Sequence, residues 1–197
     1  MHSPRALVAL SVGLSALTLA VVDAKATSVL ATSLSEMAKV SDVVVLGRVT
    51  GKAVRWDEAG ENIYTYVNVR VDSRLKGAPP DDLLVLVPGG TVGETKRVVH
   101  GAPRFTIGEK VVLYLEARTK GDAGYNVVGL FVGKLTVKPA ERGERVDYGY
   151  PVARIDPDDP PELVKRKKVL SDFSPGMDLR SFVFKVRADV EAAREAR

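Results

Sequence analysis

The spacing of apolar residues predicts a helix near each end of the chain. Leu34, Met37 and Ala38 share one helical face, and the Ser33–Glu36 spacing is that of a capping box, so a short helix is predicted to begin after Ser33. A longer amphipathic helix is predicted over 178–197, with Asp178 as its N-cap. Its apolar stripe consists of Leu179, Phe182, Val183, Val186, Val190 and Ala193.

Between the helices the hydrophobic period changes to two, which is typical of strands. The first strand begins near Asp42 and is apolar on both faces over 43–46, whereas the second, over 63–75, alternates valines with polar residues. A turn-forming stretch at 57–62 joins them into a long hairpin. Further strands are predicted at 83–87, 96–99, 110–116, 125–132 and 134–137, with glycine and proline clusters between them.

Six or seven short strands without intervening helical patterns predict a mainly β, antiparallel domain over 27–138, either a sandwich or a closed barrel. The barrel is favoured because closure leaves no unpaired strand edge. Val45, Val69 and Leu113 are expected in its single core. Residues 139–177 lose the periodicity and are rich in proline and charge, which indicates an extended arm, with a hairpin near 146–152 as an option.

The first 26 residues have the features of a secretory signal peptide. A basic start, an apolar stretch over 6–22 and Ala24-Lys25-Ala26 predict cleavage after Ala26, so that the mature chain begins at Thr27. An uncleaved membrane anchor is the alternative, but this stretch is at the short end for a span. The protein is therefore expected to be secreted or periplasmic, with no stable membrane span after cleavage.

Composition narrows the chemistry that the protein can perform. The 197 residues include no cysteine, which excludes disulfides, thiolate metal sites and cysteine nucleophiles. An exported protein without disulfides is more typical of bacteria than of the eukaryotic secretory route. The net charge of +4 is too small to predict nucleic-acid binding. The one basic run, at 165–168, indicates either a solvated surface or a contact for an anionic polymer or membrane.

No motif predicts a cofactor or a metal ion. The glycine-rich loop at 88–93 lacks a Gly-Lys-Ser/Thr sequence and precedes a strand, so a turn is predicted there rather than a phosphate site. His100, the one histidine left after processing, lies beside Gly101-Ala102-Pro103 with no triad motif, which favours a loop residue. The carboxylates of 156–162 match no calcium loop, so a solvated acidic turn is favoured over a calcium site.

Aromatic side chains gather near one end of the first hairpin. Tyr64 and Tyr66 share a strand face with Arg70, and Trp56 ends the preceding strand. Two interpretations remain open: a platform for a partner or sugar, and cross-strand pairing in which Trp56 covers a tyrosine and fixes the register. Under the first interpretation, Trp56, Tyr64, Tyr66 and Arg70 form the partner-binding site.

Three segments follow one another between residues 41 and 137: Ser41-Asp42-Val43-Val44-Val45-Leu46-Gly47-Arg48-Val49, then Leu75-Lys76-Gly77, then Gly108-Glu109-Lys110-Val111-Val112-Leu113-Tyr114-Leu115. Their order resembles that of strands in the netrin-like family, which includes the tissue inhibitors of metalloproteinases. The chain is also similar to exported bacterial proteins with the same aromatic hairpin and Pro-Gly-Gly loop. The resemblance implies an OB-type five-stranded barrel with flanking helices. The resemblance does not extend to the N-terminal cysteine with which the inhibitors bind the protease zinc.

Export, a barrel pattern and the lack of a catalytic motif together predict a non-catalytic binding module for a protein or an extracellular polymer. The resemblance adds an alternative, an inhibitor or accessory factor of a secreted protease. An enzyme would need carboxylates such as Asp57, Glu58 and Glu61 to act as acid and base near the aromatic residues. Nothing in the sequence fixes their separation, so this third interpretation is the least favoured.

Overall fold

The computed structural model of the chain describes residues 33–148 and 176–195. Two α-helices flank the strands in this part of the chain, α1 (Leu34–Val40) and α2 (Leu179–Glu195). A 3₁₀ turn spans Leu130–Gly133. The strands are β1 (Val43–Trp56), β2 (Ile63–Lys76), β3 (Asp82–Pro88), β4 (Gly90–Val92), β5 (Thr95–Arg97), β6 (Lys110–Ala117), β7 (Tyr125–Val127), β8 (Lys134–Ala140), β9 (Gly143–Tyr148) and β10 (Met177–Asp178).

Both predicted helices are confirmed together with their N-caps. The hydroxyl of Ser33 accepts a hydrogen bond from the backbone N–H of Glu36 at 3.1 Å. The carboxylate of Asp178 accepts one from the N–H of Ser181 at 3.0 Å. Each cap satisfies an N–H group that the first helical turn leaves without an intrahelical partner. None of the helices in the described residues has the length and apolar character that a bilayer crossing requires.

Five strands close into a barrel. β1 pairs with β2 along one edge and with β6 along the other, and β3 and β7 complete the ring in the order β1-β2-β3-β7-β6. Beyond β6, the sheet continues through β8, β9 and β10. The β3–β7 pairing is parallel and the other pairings of this sheet are antiparallel, so the prediction of a wholly antiparallel fold is wrong at one place. The reason is geometric, because strand direction cannot alternate all the way around a ring with an odd number of strands.

The barrel interior contains the residues predicted for it. Val45, Val69 and Leu113 are each 0% exposed and belong to one cluster, which confirms their predicted burial. Val67 and Val85 fill the same interior from β2 and β3. The alternation of valines with polar residues in β2 therefore reflects one face toward this core and one toward solvent.

A second core lies between the outside of the barrel and the helices. Val44 of β1 and Tyr114 of β6 point outward and pack with Met37 of α1 and with Phe182 and Val186 of α2. This second layer explains why β1 begins with apolar residues on both faces. It also shows where both amphipathic helices bury their apolar stripes.

Two predicted segments differ from the structure. The strand predicted over 125–132 ends at Val127, because Gly129 and Leu130 have φ values of 63° and 57°, which interrupt an extended backbone. The extended arm predicted from residue 139 begins as strand, because β8 pairs with β9 and the sheet continues to Tyr148. The hairpin suggested near 146–152 lies partly outside the described residues. The predicted signal peptide and most of the predicted arm, including 156–162 and 165–168, lie outside the described residues.

Truncating Leu113 to Ala should destabilise the barrel strongly. The side chain is completely buried, so its loss removes transfer free energy and leaves a cavity, at a cost of about 2–5 kcal/mol. Ile107→Ala is the matched control, because Ile107 is 60% exposed and its truncation should change stability by less than about 0.5 kcal/mol. Urea unfolding measures both variants. An unchanged midpoint for Leu113→Ala would contradict the position of this side chain in the core.

Candidate binding site at the end of the first hairpin

The first hairpin extends beyond the part of β1 that closes the barrel. Pairing of β1 with β6 stops at Arg48, whereas pairing with β2 continues to Trp56 and Ile63. The turn that follows is held by Asp57, whose carboxylate accepts hydrogen bonds from the backbone N–H groups of Glu61 at 2.7 Å and Asn62 at 3.0 Å. These bonds, with the Asn62 N–H first, lower the pKa of Asp57.

A buried carboxylate joins this hairpin to the loop between β6 and β7. Asp122 is 4% exposed and accepts a short hydrogen bond from the Tyr66 hydroxyl and a 2.9 Å bond from the N–H of Glu58. The guanidinium group of Arg55 lies 3.8 Å from the same carboxylate. Loop 118–124 is therefore tied to both the strands and the turn of the hairpin.

Two arginines stack on two tyrosines beside Asp122. The Arg55 guanidinium carbon lies 3.9 Å from the centre of the Tyr66 ring, and that of Arg118 lies 5.0 Å from the Tyr64 ring. The two rings meet edge to face with centres 6.3 Å apart. We call Arg55, Tyr66, Tyr64 and Arg118 the arginine–tyrosine row. Its geometry is that of favourable cation–π and aromatic contacts.

The two arginines of this row differ in what remains available to a ligand. Arg118 donates to the Asp122 carbonyl at 3.0 Å and to the Asn126 side chain at 2.8 Å, so its donors are largely used. The Arg55 side chain is 56% exposed and donates no hydrogen bond to any residue within 33–148 or 176–195. Arg55 therefore presents an oriented guanidinium group whose hydrogen-bond donors are unused.

Burial and hydrogen bonding keep the proton that Tyr66 and Asp122 share on the tyrosine. Burial, together with the hydrogen bond to Asp122, raises the pKa of Tyr66 from 10.0 to about 12. The hydrogen bond from Tyr66, followed by that from the Glu58 N–H, lowers the pKa of Asp122. At neutral pH the phenol therefore keeps its proton and the carboxylate keeps its charge, which holds the Arg55 guanidinium nearby.

The structure brings together two of the four residues that the sequence suggested. Tyr64 and Tyr66 are adjacent, although Tyr66 is only 4% exposed. Trp56 pairs with Ile63, so alternation along the strand puts its side chain on the opposite face of the hairpin from the tyrosines. Arg70 shares the face of the tyrosines but lies four residues beyond Tyr66 along β2, where it forms an ion pair with Asp82 at 2.8 Å. The residue opposite Tyr64 is Arg55, not Trp56.

Sequence reasoning missed Arg55, Arg118 and Asp122. Arg55 could have been found from the turn: if Trp56 and Ile63 close the turn, the next pair outward is Arg55 with Tyr64. Asp122 carries no such signal, because it lies in an irregular loop 56 residues away from Tyr66. Within the described residues, no group of three or more His, Asp or Glu side chains could hold a metal ion.

Neither a scan against protein-family models nor a search of curated proteins gave a match to this chain.

Alkaline titration tests the pairing of Tyr66 with Asp122. One tyrosine should ionise with a pKa of about 12, and this component should vanish in Tyr66→Phe but persist in Tyr64→Phe. The folded-state pKa is raised, so this group's contribution to the free energy of unfolding is complete below pH 10 and is lost between pH 10 and about 12. Tyrosinate absorbance and urea unfolding measure the two effects.

Ionisation of Tyr66 near the ordinary value, or an identical alkaline loss of stability in Tyr66→Phe, would contradict the buried hydrogen bond.

Proposed function

We propose that this protein is an exported, non-catalytic binding module that contacts its ligand through the arginine–tyrosine row. The observation that supports the proposal is the state of Arg55, which is exposed, stacked on a buried tyrosine, held near a buried carboxylate and free of hydrogen bonds to described residues. An oriented guanidinium with free donors suits bidentate recognition of carboxylate or sulfate groups. The ligand is accordingly a protein or an extracellular polymer that displays such groups.

We also propose that the barrel is of the OB type and netrin-like. The ring order β1-β2-β3-β7-β6 in five strands supports this assignment. OB-type barrels bind ligands on the face of their second and third strands and through the loops after their first and fourth strands. The corresponding loops here are 57–62 and 118–124, which Asp122 joins beside the arginine–tyrosine row. The proposed site thus lies where barrels of this type contact ligands.

The chemistry of the site favours binding over turnover. The Asp57 carboxylate is occupied by the backbone of its own turn. Tyr66 retains its proton, and Asp122 is buried among its hydrogen-bond donors. A general base needs reach toward a substrate proton, which a buried and saturated carboxylate does not have. Export itself rests on the predicted signal peptide at 1–26.

Replacement of Arg55 should weaken binding to carboxylate- or sulfate-bearing polymers without destabilising the fold. We expect the protein beginning at Thr27 to bind at least one of polyglutamate, polygalacturonate and heparin. Arg55→Ala should reduce that affinity about tenfold or more, because a charge-assisted hydrogen bond contributes about 1.5–3 kcal/mol. Arg55→Lys should recover only part of the loss, since the ammonium group cannot bind in the bidentate mode. Biolayer interferometry measures the affinities.

Arg145→Ala is the matched control, because it removes the same charge from an exposed position on β9. Equal weakening by Arg145→Ala would indicate nonspecific attraction, and failure of the parent protein to bind any of the three polymers would refute the proposed ligand class.

A further inference from the structure

A groove of about 380 Å³ lies where α2 meets the barrel wall, away from the arginine–tyrosine row. One side of the groove is the barrel wall, formed by the cross-strand partners Leu46 of β1 and Ser73 of β2. The other side is α2, which contributes Leu179, Val183 and Phe184. Its volume is within the range of about 300–1,000 Å³ that is typical of ligand pockets. Leu46 is nine residues from Arg55 along β1, which is roughly 30 Å of extended strand.

Phe184 is the most exposed large apolar side chain of the described residues, at 77%. The stripe that attaches α2 to the barrel passes through Phe182, Val186 and Val190 and does not include it. A single exposed apolar residue is ordinary. This one borders a groove that Leu46, Leu179 and Val183 also line, so it extends an apolar surface rather than standing alone.

The rim of the groove is positively charged. Arg180 and Arg187 of α2 line it, and neither forms an ion pair or a side-chain hydrogen bond with a described residue. The Asp178 carboxylate interacts electrostatically with Arg180 and supplies one opposing charge, so the two lining arginines leave the rim with a net positive charge.

We propose that this groove binds a short acidic segment of a partner protein that carries one large apolar side chain. The apolar side chain enters the groove against Phe184 and Val183, and flanking carboxylates pair with Arg180 and Arg187. Charge complementarity selects an anionic ligand, and the apolar lining selects one with an aliphatic or aromatic group, which a polysaccharide lacks. A membrane surface fits less well because Leu46, only 8% exposed, lies on the inner wall of the groove, which an inserted side chain contacts more readily than a planar bilayer does.

A peptide array tests this proposal with the chain beginning at Thr27. Peptides in which Leu or Phe is flanked by Asp and Glu should bind, whereas the same peptides with Lys flanks, or with Ala at the centre, should not. For the best binder, fluorescence anisotropy should show that Phe184→Ala and Arg187→Glu each weaken affinity about tenfold or more. Both side chains are solvent-exposed, so the unfolding midpoints should stay near that of the parent.

Arg194→Glu is the matched control, because it makes the same charge change on the same helix outside the groove, and affinity should remain within about twofold. Arg55→Ala should not affect binding of this peptide, which separates the groove from the site of the proposed function.

Three results would overturn the proposal: no binding by acidic peptides, an equal loss of affinity in Arg194→Glu, or loss of affinity in Arg55→Ala alone. Phe184-dependent binding to phosphatidylglycerol vesicles without peptide binding, or self-association abolished by Arg187→Glu, would assign the groove instead to a membrane or to a second copy of the chain.

Discussion

The rest of the structure depends on the pairing of β1 with two strands at once. Over Val43 to Arg48, β1 pairs with β6 while its other edge pairs with β2, and this double pairing closes the barrel. Closure demands a close approach at Gly47, where an added Cβ would lie 2.6 Å from the Arg70 carbonyl oxygen. The register shifts at this point, which is how a strand bends enough to belong to a closed sheet.

Closure also determines where the two proposed binding surfaces lie. The half of the hairpin beyond Arg48 is not needed for the β1–β6 pairing, so its outer face can carry the arginine–tyrosine row. The outer face of the closed half is covered by α1 and α2, whose apolar stripes complete the second core. The groove beside Phe184 is the place where α2 leaves part of that wall uncovered. One strand thus supports a polar site at one end and an apolar groove at the other.

Local periodicity was sufficient to predict the helices, their caps and most strands. The doubly apolar start of β1 is explained only by the structure, in which the strand lies between two cores. The parallel β3–β7 pairing could not be read from periodicity, because it follows from closing an odd ring. The face of Trp56 depended on the hairpin register rather than on residue type, and Asp122 reaches Tyr66 through tertiary contact alone. The sequence therefore placed Tyr64 and Tyr66 on one strand face of the candidate site but missed Arg55, Arg118 and Asp122.

Native-state hydrogen exchange along the β1–β6 seam tests barrel closure most directly. If the rest of the structure depends on the β1–β6 pairing, the amides of Val44–Leu46 and Val111–Leu115 should exchange with a free energy equal to that of global unfolding by urea. Amides near the hairpin turn, such as Glu58 and Gly60, should exchange through smaller openings. Rapid exchange of the amides that join β1 to β6, while those that join β1 to β2 stay protected, would instead reveal an open sheet and contradict the closure of the barrel.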